Sequence, residues 1–439
     1  METNRLIGGA WLAARLGVVL VMPLMVRSQI GGRRATHISD GVTTETYVES
    51  MRPTDDLRGH LTFHLKHELL HLELLARVFD KSNPQELADW VGAEPSGQYA
   101  RRAGFLYEWL SGKSLKIQST IAGGYVDAVD DSKMVAASKE YSVPNKRWRV
   151  RDNLPGTREF CPIVHKTPQL KEAMSIEIPA MLQALALEFG EELLMRSAVW
   201  MTLRESKASF AIEGESDQLD RIQRFADVLA RRTGQAQLPL DNVSLAKLQL
   251  EILGSRTSLE QFGIRKSPVF VGEVVRFQEV VHYVAPPFED LQSMLEGLKV
   301  FLQRTNGQSA VMRSAVAAFG FIYIHPLADG NGRVHRFLIN DVLRRDGAVM
   351  APMVLPVSSL IESAPAERLA YDRVLDEVSG PLMRSIDSKF AFAPQYTKYE
   401  DGVRSNFDFS GDELARPVWR YLNLTTHVVY LAQVLRRTI

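Results

Sequence analysis

The strongest constraint on this chain is a junction near its centre. The segment SAVMRSAVAAFGFIYI, residues 309–324, is apolar almost without interruption, as a helix buried on all sides must be. It runs into His325-Pro326, and Pro326 forbids its continuation. Gly330-Asn331-Gly332 then opens a further amphipathic helix over 331–345. The twelve residues from His325 to Arg336 are therefore gripped between two helices.

That loop is rich in chemistry. Glycines allow positive φ and close ligand approach, so the backbone N–H groups of Gly330, Asn331 and Gly332 can form an anion nest at a helix N-terminus. Arg333 and Arg336 follow three apart, near the same anion, and two guanidinium groups suit a polyphosphate. Asp329 adds a hard oxygen ligand of the kind that holds Mg²⁺ beside nucleotide phosphates. His325 stands at the edge as a base. Each residue alone has an ordinary reading, as a cap, a turn or a solvated charge. Together a base, a carboxylate, a nest and two guanidinium groups compose one reaction site.

The loop resembles the signature of the Fic family of nucleotidyl transferases, His-x-Phe-x-Asp/Glu-Gly-Asn-Gly-Arg-x-x-Arg, with Leu327 in place of the usual Phe as the apolar anchor. The resemblance extends from about Ile176 to Pro381. It implies that His325 takes a proton from a protein hydroxyl, that Asp329 holds Mg²⁺ on ATP, that the nest and Arg333 bind the α- and β-phosphates, and that Arg336 grips the γ-phosphate. The implied product is AMP on a Ser, Thr or Tyr side chain, with self-modification as a further outcome. Upstream, Ser209-Phe210-Ala211-Ile212-Glu213-Gly214 resembles the family's inhibitory motif, in the class whose inhibitory helix precedes the catalytic loop. Glu213 paired with Arg336 would occupy the guanidinium meant for the γ-phosphate; without the loop, Gly214 would read as a plain helix end. Similar chains carry a target-binding flap where this one has a β-rich stretch between Arg265 and Tyr283, which nominates Val269, Phe270 and Val271 as clamps on a target strand. A simple packed hairpin is the other reading. Tyr371 lies where relatives place an adenine-contacting aromatic, although a core aromatic looks the same.

The rest of the chain divides by texture into a mixed α/β region at 1–173, a helical Fic-like region at 174–386 and a helical extension at 387–439. The expected fold is mostly α: a helical bundle with a β-hairpin flap, preceded by the mixed domain. In the first region, alternation around Asp40-Gly41 predicts a hairpin, and Leu57 to Phe79 predicts a helix. Leu16 to Val26 is too short for a membrane span and reads as a buried segment. A long apolar stripe from Met181 to Leu203 predicts core packing, and the FAPQYTKYEDG stretch near the C-terminus reads as loop before a helix from Pro417 to Arg437.

Composition limits the partners. The 439 residues carry 52 basic and 52 acidic side chains, so no global field draws the chain to nucleic acid or to an anionic membrane. A single cysteine, Cys161, fits a reducing cytoplasm. Three other readings stay open. A site of this kind could remove AMP or transfer another phosphate-linked group. The N-terminal region could recruit DNA or protein. And His67-Glu68-Leu69-Leu70-His71 spells the zinc-protease pattern, with His60 and His64 extending the stripe along one expected helix, but with no identifiable third ligand.

Overall fold

The computed structural model describes residues 5–39, 42–235, 237–255, 257, 259–276 and 278–439. The chain separates into two compact units, 1–158 and 159–439. The first contains β1 (Leu6–Ile7), α1 (Gly8–Arg15), β2 (Val26–Ile30), β3 (Ala35–Ser39), β4 (Val42–Tyr47), α2 (Leu57–His67), α3 (Leu72–Lys81), α4 (Pro84–Ala93), α5 (Gln98–Ser111), β5 (Val126–Asp127), β6 (Val143–Asn145) and β7 (Val150–Asp152). Its main sheet runs β1-β2-β4-β3. Strands β3 and β4 pair antiparallel as their alternation predicts, with Ser39 opposite Val42; the Asp40-Gly41 turn lies outside the described residues. Ile7, Ile30, Tyr47 and Phe63 form a buried cluster between this sheet and α2. The Leu16–Val26 run is only half packed: Val18, Val21 and Leu24 are buried, but Val19 is exposed.

The zinc-protease reading of this unit is corrected. Helix α2 stops at His67, and Glu68 is its extended C-cap, so the four histidines do not share one helix face. His71 sits beyond the break, where its Nδ1 accepts from Leu74 N–H and caps α3. The cause is local: Glu68 turns inward, its Oε2 accepting from Gly9 N–H at 2.8 Å and pairing with His64 Nδ1 at 2.7 Å. His60 accepts from Gly8 N–H and stacks flat on Trp11. Among the described residues no cluster of three or more His, Cys, Asp or Glu is placed to hold a metal.

The second unit is built from α6 (Pro168–Met174), α7 (Ile178–Phe189), α8 (Glu191–Ile212), α9 (Leu219–Arg232), α10 (Asn242–Leu253), the hairpin β8 (Phe270–Val275) and β9 (Gln278–Val284), α11 (Phe288–Arg304), α12 (Ala310–Ile324), α13 (Asn331–Arg345), α14 (Val357–Ile361), α15 (Pro365–Ile386), the hairpin β10 (Phe390–Lys398) and β11 (Arg404–Phe409), α16 (Asp412–Arg420) and α17 (Thr425–Thr438). Helix α12 is the axis: nearly every side chain on it is buried, as its composition requires, and α13, α11 and α17 pack around it. The fold is mostly α, with a mixed α/β first unit.

Several expectations change. The first unit ends at Arg158, because Cys161 and Ile163 donate backbone hydrogen bonds to Arg420 and Leu422 and so tie residues after 158 to the C-terminal segment. For the same reason 387–439 is not an extension: α17 packs on α12, and His427 meets Tyr323 Oη at 2.8 Å. The FAPQYTKYEDG stretch runs from strand β10 into the turn before β11, the two strands pairing antiparallel with Phe390 and Phe392 on Phe407, and a break at 421–424 splits the terminal helix in two. Finally, the apolar stripe from Met181 to Leu203 is broken at Gly190 (φ 88°), and much of it faces outward, with Leu187 and Val199 about 80% exposed. The face of α8 that packs inward carries Ala198, Thr202, Glu205, Ser206, Ser209 and Phe210 instead. No helix among the described residues is long and apolar enough to cross a membrane.

Glu68→Ala should strip partners from the Gly9 N–H and from His64, lowering stability of the first unit by about 2–4 kcal/mol in urea unfolding, and zinc should leave the wild-type melting temperature unchanged. A rise in melting temperature with stoichiometric zinc would restore the metal reading.

Candidate active site

His325 caps α12 in the left-handed conformation (φ 50°, ψ 55°), a strained position for a non-glycine residue. Its Nδ1 lies 3.1 Å from the Ile322 carbonyl oxygen, which can only accept, so Nδ1 carries the proton and Nε2 keeps the lone pair. Burial, followed by the nearby positive charge of Arg265, pushes its pKa down to about 4, so the ring is neutral near pH 7. Leu327 is fully buried, as an anchor should be. Asn331 holds the turn: its Oδ1 accepts from Leu327 N–H at 2.9 Å and its Nδ2 donates to Leu327 O at 2.7 Å. Gln249 steadies the far side, donating to Asp329 O at 2.8 Å.

Gly330 (φ 93°) is the N-cap of α13, and no side chain caps that N-terminus, leaving first-turn N–H groups directed at whatever lies beyond. What lies there is a carboxylate. Glu213, the C-cap of α8, pairs with Arg336 Nη2, and a Cβ on Gly332 would collide with Glu213 Oε1. Glycine at 332 is thus what lets an anion rest against this helix start. Arg336 is buried and also donates from Nε to Ser209 Oγ at 2.7 Å and from Nη2 to the Ser209 carbonyl at 3.2 Å. Burial tends to raise the pKa of Glu213, but Arg336 outweighs it and holds the carboxyl below its usual value.

Arg333 is equally buried. Its guanidinium lies 4.5 Å over the Phe210 ring, donates to Asp329 Oδ1 at 3.3 Å and pairs with Glu215. Among the described residues its buried Nε has no acceptor. The Glu215 pairing is not legible in the sequence, because nothing in the six-residue inhibitory pattern points beyond Gly214. Glu205 is another residue that sequence reasoning passes over; it joins α8 to α14 by accepting from Ser358 N–H and Oγ at 2.7 and 2.6 Å. The loop residues 325–336 therefore converge with Ser209 and Glu213, whereas Gly214 (φ 74°) only ends the α8 turn, its N–H donating to Ala211 O. Val269, Phe270 and Val271 stand on the hairpin instead, with Val271 exposed and Phe270 packed on Phe392 and Phe407. Tyr371 is buried near His335 and Tyr430, the placement of a core aromatic.

An imidazole beside a helix start flanked by two buried arginines, in a bundle of helices, is the geometry to be matched to known proteins. More particularly, residues 239–343 match the model of the Fic/DOC family. It is 27% identical over 146 residues to a protein adenylyltransferase fic-1 of Caenorhabditis briggsae, a stretch covering 33% of this chain and 26% of that protein. Identity to the Caenorhabditis elegans protein of the same name is 28% over 145 residues, covering 33% and 26%. A protein adenylyltransferase Fic of Drosophila grimshawi matches at 29% over 114 residues, covering 26% and 21%. The match thus spans about a quarter of these relatives. A solved Fic family protein from Desulfovibrio desulfuricans G20 aligns with a TM-score of 0.42 at 20% identity, over 62% of this chain and 73% of that one.

Burial holds His325 and His335 at about 4 and His427 at about 3. The unfolded chain takes up protons on these rings below about pH 6.5 while the native state refuses them, so stability should fall as pH drops from about 6.5 towards 4. Glu205, raised by burial to about 7, works in the opposite sense, as do the raised carboxyls of Asp341, Glu377 and Asp412, while His60, held at about 4, adds to the histidines. Urea unfolding at pH 7.5, 6 and 5 should show a falling midpoint, with a shallower fall in His427→Phe; a midpoint that rises towards pH 5 would contradict this.

Proposed function

We propose that the chain transfers AMP from ATP to a Ser, Thr or Tyr hydroxyl of a target protein. The observation that carries this reading is a neutral imidazole, with Nε2 basic, beside a helix start where a carboxylate already occupies the anion position. In the reaction the target oxygen attacks the α-phosphorus, its proton passes to His325 Nε2, the bond from the α-phosphorus to the bridging oxygen breaks, and pyrophosphate leaves. First-turn N–H groups at Gly330, Asn331 and Gly332 and the guanidinium of Arg333 hold the α- and β-phosphates; the orphaned Nε of Arg333 supports an anionic ligand there. Arg336 grips the γ-phosphate.

Asp329 suits Mg²⁺. Its side chain is 41% exposed at the mouth of the loop, and one carboxylate with phosphate oxygens and waters is a usual magnesium set in nucleotide sites. A cation there would offset phosphate charge; the chain's own residues do the positioning. The β8–β9 hairpin, with Val269, Phe270 and Val271, presents an edge that can pair with an extended target segment.

Glu213 holds the enzyme in a resting state. Its carboxylate occupies Arg336 and the space above Gly332, so the γ-phosphate cannot settle until Glu213 leaves. Incubated with ATP labelled at the α-phosphate, the wild-type chain should label itself weakly. Glu213→Gly should raise labelling at least tenfold, and Glu213→Gly with His325→Ala should lose it by about 10²–10⁴-fold, the usual contribution of a general base. Labelling that survives the His325 substitution would refute the base assignment.

A further inference from the structure

Arg265 is 1% exposed, and among the described residues it has no carboxylate partner in ion-pair reach. Its guanidinium is satisfied by three backbone carbonyls: Nε donates to His325 O at 2.9 Å, Nη1 to Ser267 O at 2.6 Å and Nη2 to Pro286 O at 2.5 Å. These carbonyls are not a random set. His325 is the strained end of α12, while Ser267 and Pro286 are the two feet of the β8–β9 hairpin, where the chain departs for β8 and returns from β9. The backbone repeats the link. Arg265 N–H donates to Pro326 O at 2.9 Å, and Ile264 bridges antiparallel to Leu327. Tyr283 of β9 donates from Oη to Tyr323 O at 2.6 Å, two residues before the imidazole.

A second hairpin braces the feet from outside. Asp401, 2% exposed in the turn between β10 and β11, accepts from Lys266 N–H and Ser267 Oγ, each at 2.7 Å. Phe270 at the start of β8 packs on Phe392 and Phe407 of that hairpin.

We propose that Arg265 is a positioning residue that joins the target-facing hairpin to His325, so that seating a target strand and aligning the base are one mechanical event, with Asp401 fixing the outer end of the link. The inference rests on the reading of His325 as base and of the β8–β9 hairpin as target-facing. A planar fork with five donors is the side chain that can hold three carbonyls in fixed mutual positions; a lysine ammonium cannot reproduce that geometry. Among the described residues no hydrogen bond or ion pair joins Arg265 to the residues from Gly330 to Arg336, so the link acts on the base and the target rather than on the nucleotide. The charged groups acting on the His325 ring are Arg265, which favours the neutral form, and Glu213, which opposes it.

The test uses full-length chain carrying Glu213→Gly, with two readouts: affinity for a fluorescent ATP analogue in magnesium buffer, and the rate of self-labelling from α-labelled ATP as a function of pH. Arg265→Gln should leave nucleotide affinity within about twofold, reduce labelling at least thirtyfold, and move the acid limb of the rate profile to higher pH, because the imidazole loses a neighbouring cation. Arg265→Lys should restore the acid limb and only part of the rate. Asp401→Ala should lower the rate without moving the limb. Parental labelling in Arg265→Gln, or a fall in nucleotide affinity that matches the fall in rate, would overturn the proposal. If Arg265→Gln proves unfolded by circular dichroism, parental rates in both Arg265→Lys and Asp401→Ala would overturn it instead. Absence of label in the Glu213→Gly parent, or label that persists after His325→Ala, would remove the base reading and this proposal with it, an outcome distinct from failure of the link alone.

Discussion

The second unit depends on how a buried guanidinium finds a counterion. Arg336 sits inside the bundle at the start of α13, where leaving a charge unpaired would cost several kcal/mol. Glu213 meets that need from α8, and Ser209, one helical turn earlier, satisfies more of the fork. The arrangement is a seat for an anion that is filled by the protein's own carboxylate. On the proposed function, a phosphate that enters replaces Glu213 rather than simply joining it, so that inhibition and nucleotide binding are two states of one site.

The seat works because its surroundings are rigid. Helix α12 is buried along almost its whole length, with α11, α13 and α17 packed on it. The loop is tied at each point of risk: Asn331 to both polar backbone groups of Leu327, Gln249 to Asp329, and Arg265 to His325 and Pro326. The left-handed backbone of His325 is a strained conformation that surrounding contacts must over-determine, and these contacts do so. Glu215 on Arg333 adds a second carboxylate at the same end of α8, so that both arginines of the loop rest on acidic partners.

What the sequence revealed and what it hid follow from distance along the chain. Residues 325–336 were legible because their chemistry is local: an apolar helix, a proline, a glycine turn and two arginines act within one loop. Glu213 was legible only through resemblance, since its partner lies 123 positions away. The roles of Arg265 and Asp401 could not be read at all, because both are defined by backbone carbonyls and amides that meet only in the folded unit. Periodicity misled in two places. The His60–His71 stretch looks helical throughout, yet Glu68 finds better partners in Gly9 and His64 and breaks the helix. The stripe after Met181 is apolar at helical spacing, yet α8 turns a face of small and polar residues inward because Glu205 and Ser209 have buried partners there.

The central claim is that the start of α13 is a polyphosphate seat within reach of a basic imidazole. A crystal structure of the Glu213→Gly chain with ATP and Mg²⁺ tests it most directly. The account requires density for the phosphates against Gly330, Asn331 and Gly332, with Arg336 turned to the γ-phosphate and His325 Nε2 facing the α-phosphorus. Nucleotide bound elsewhere, or His325 Nε2 directed away from the phosphates, would contradict it.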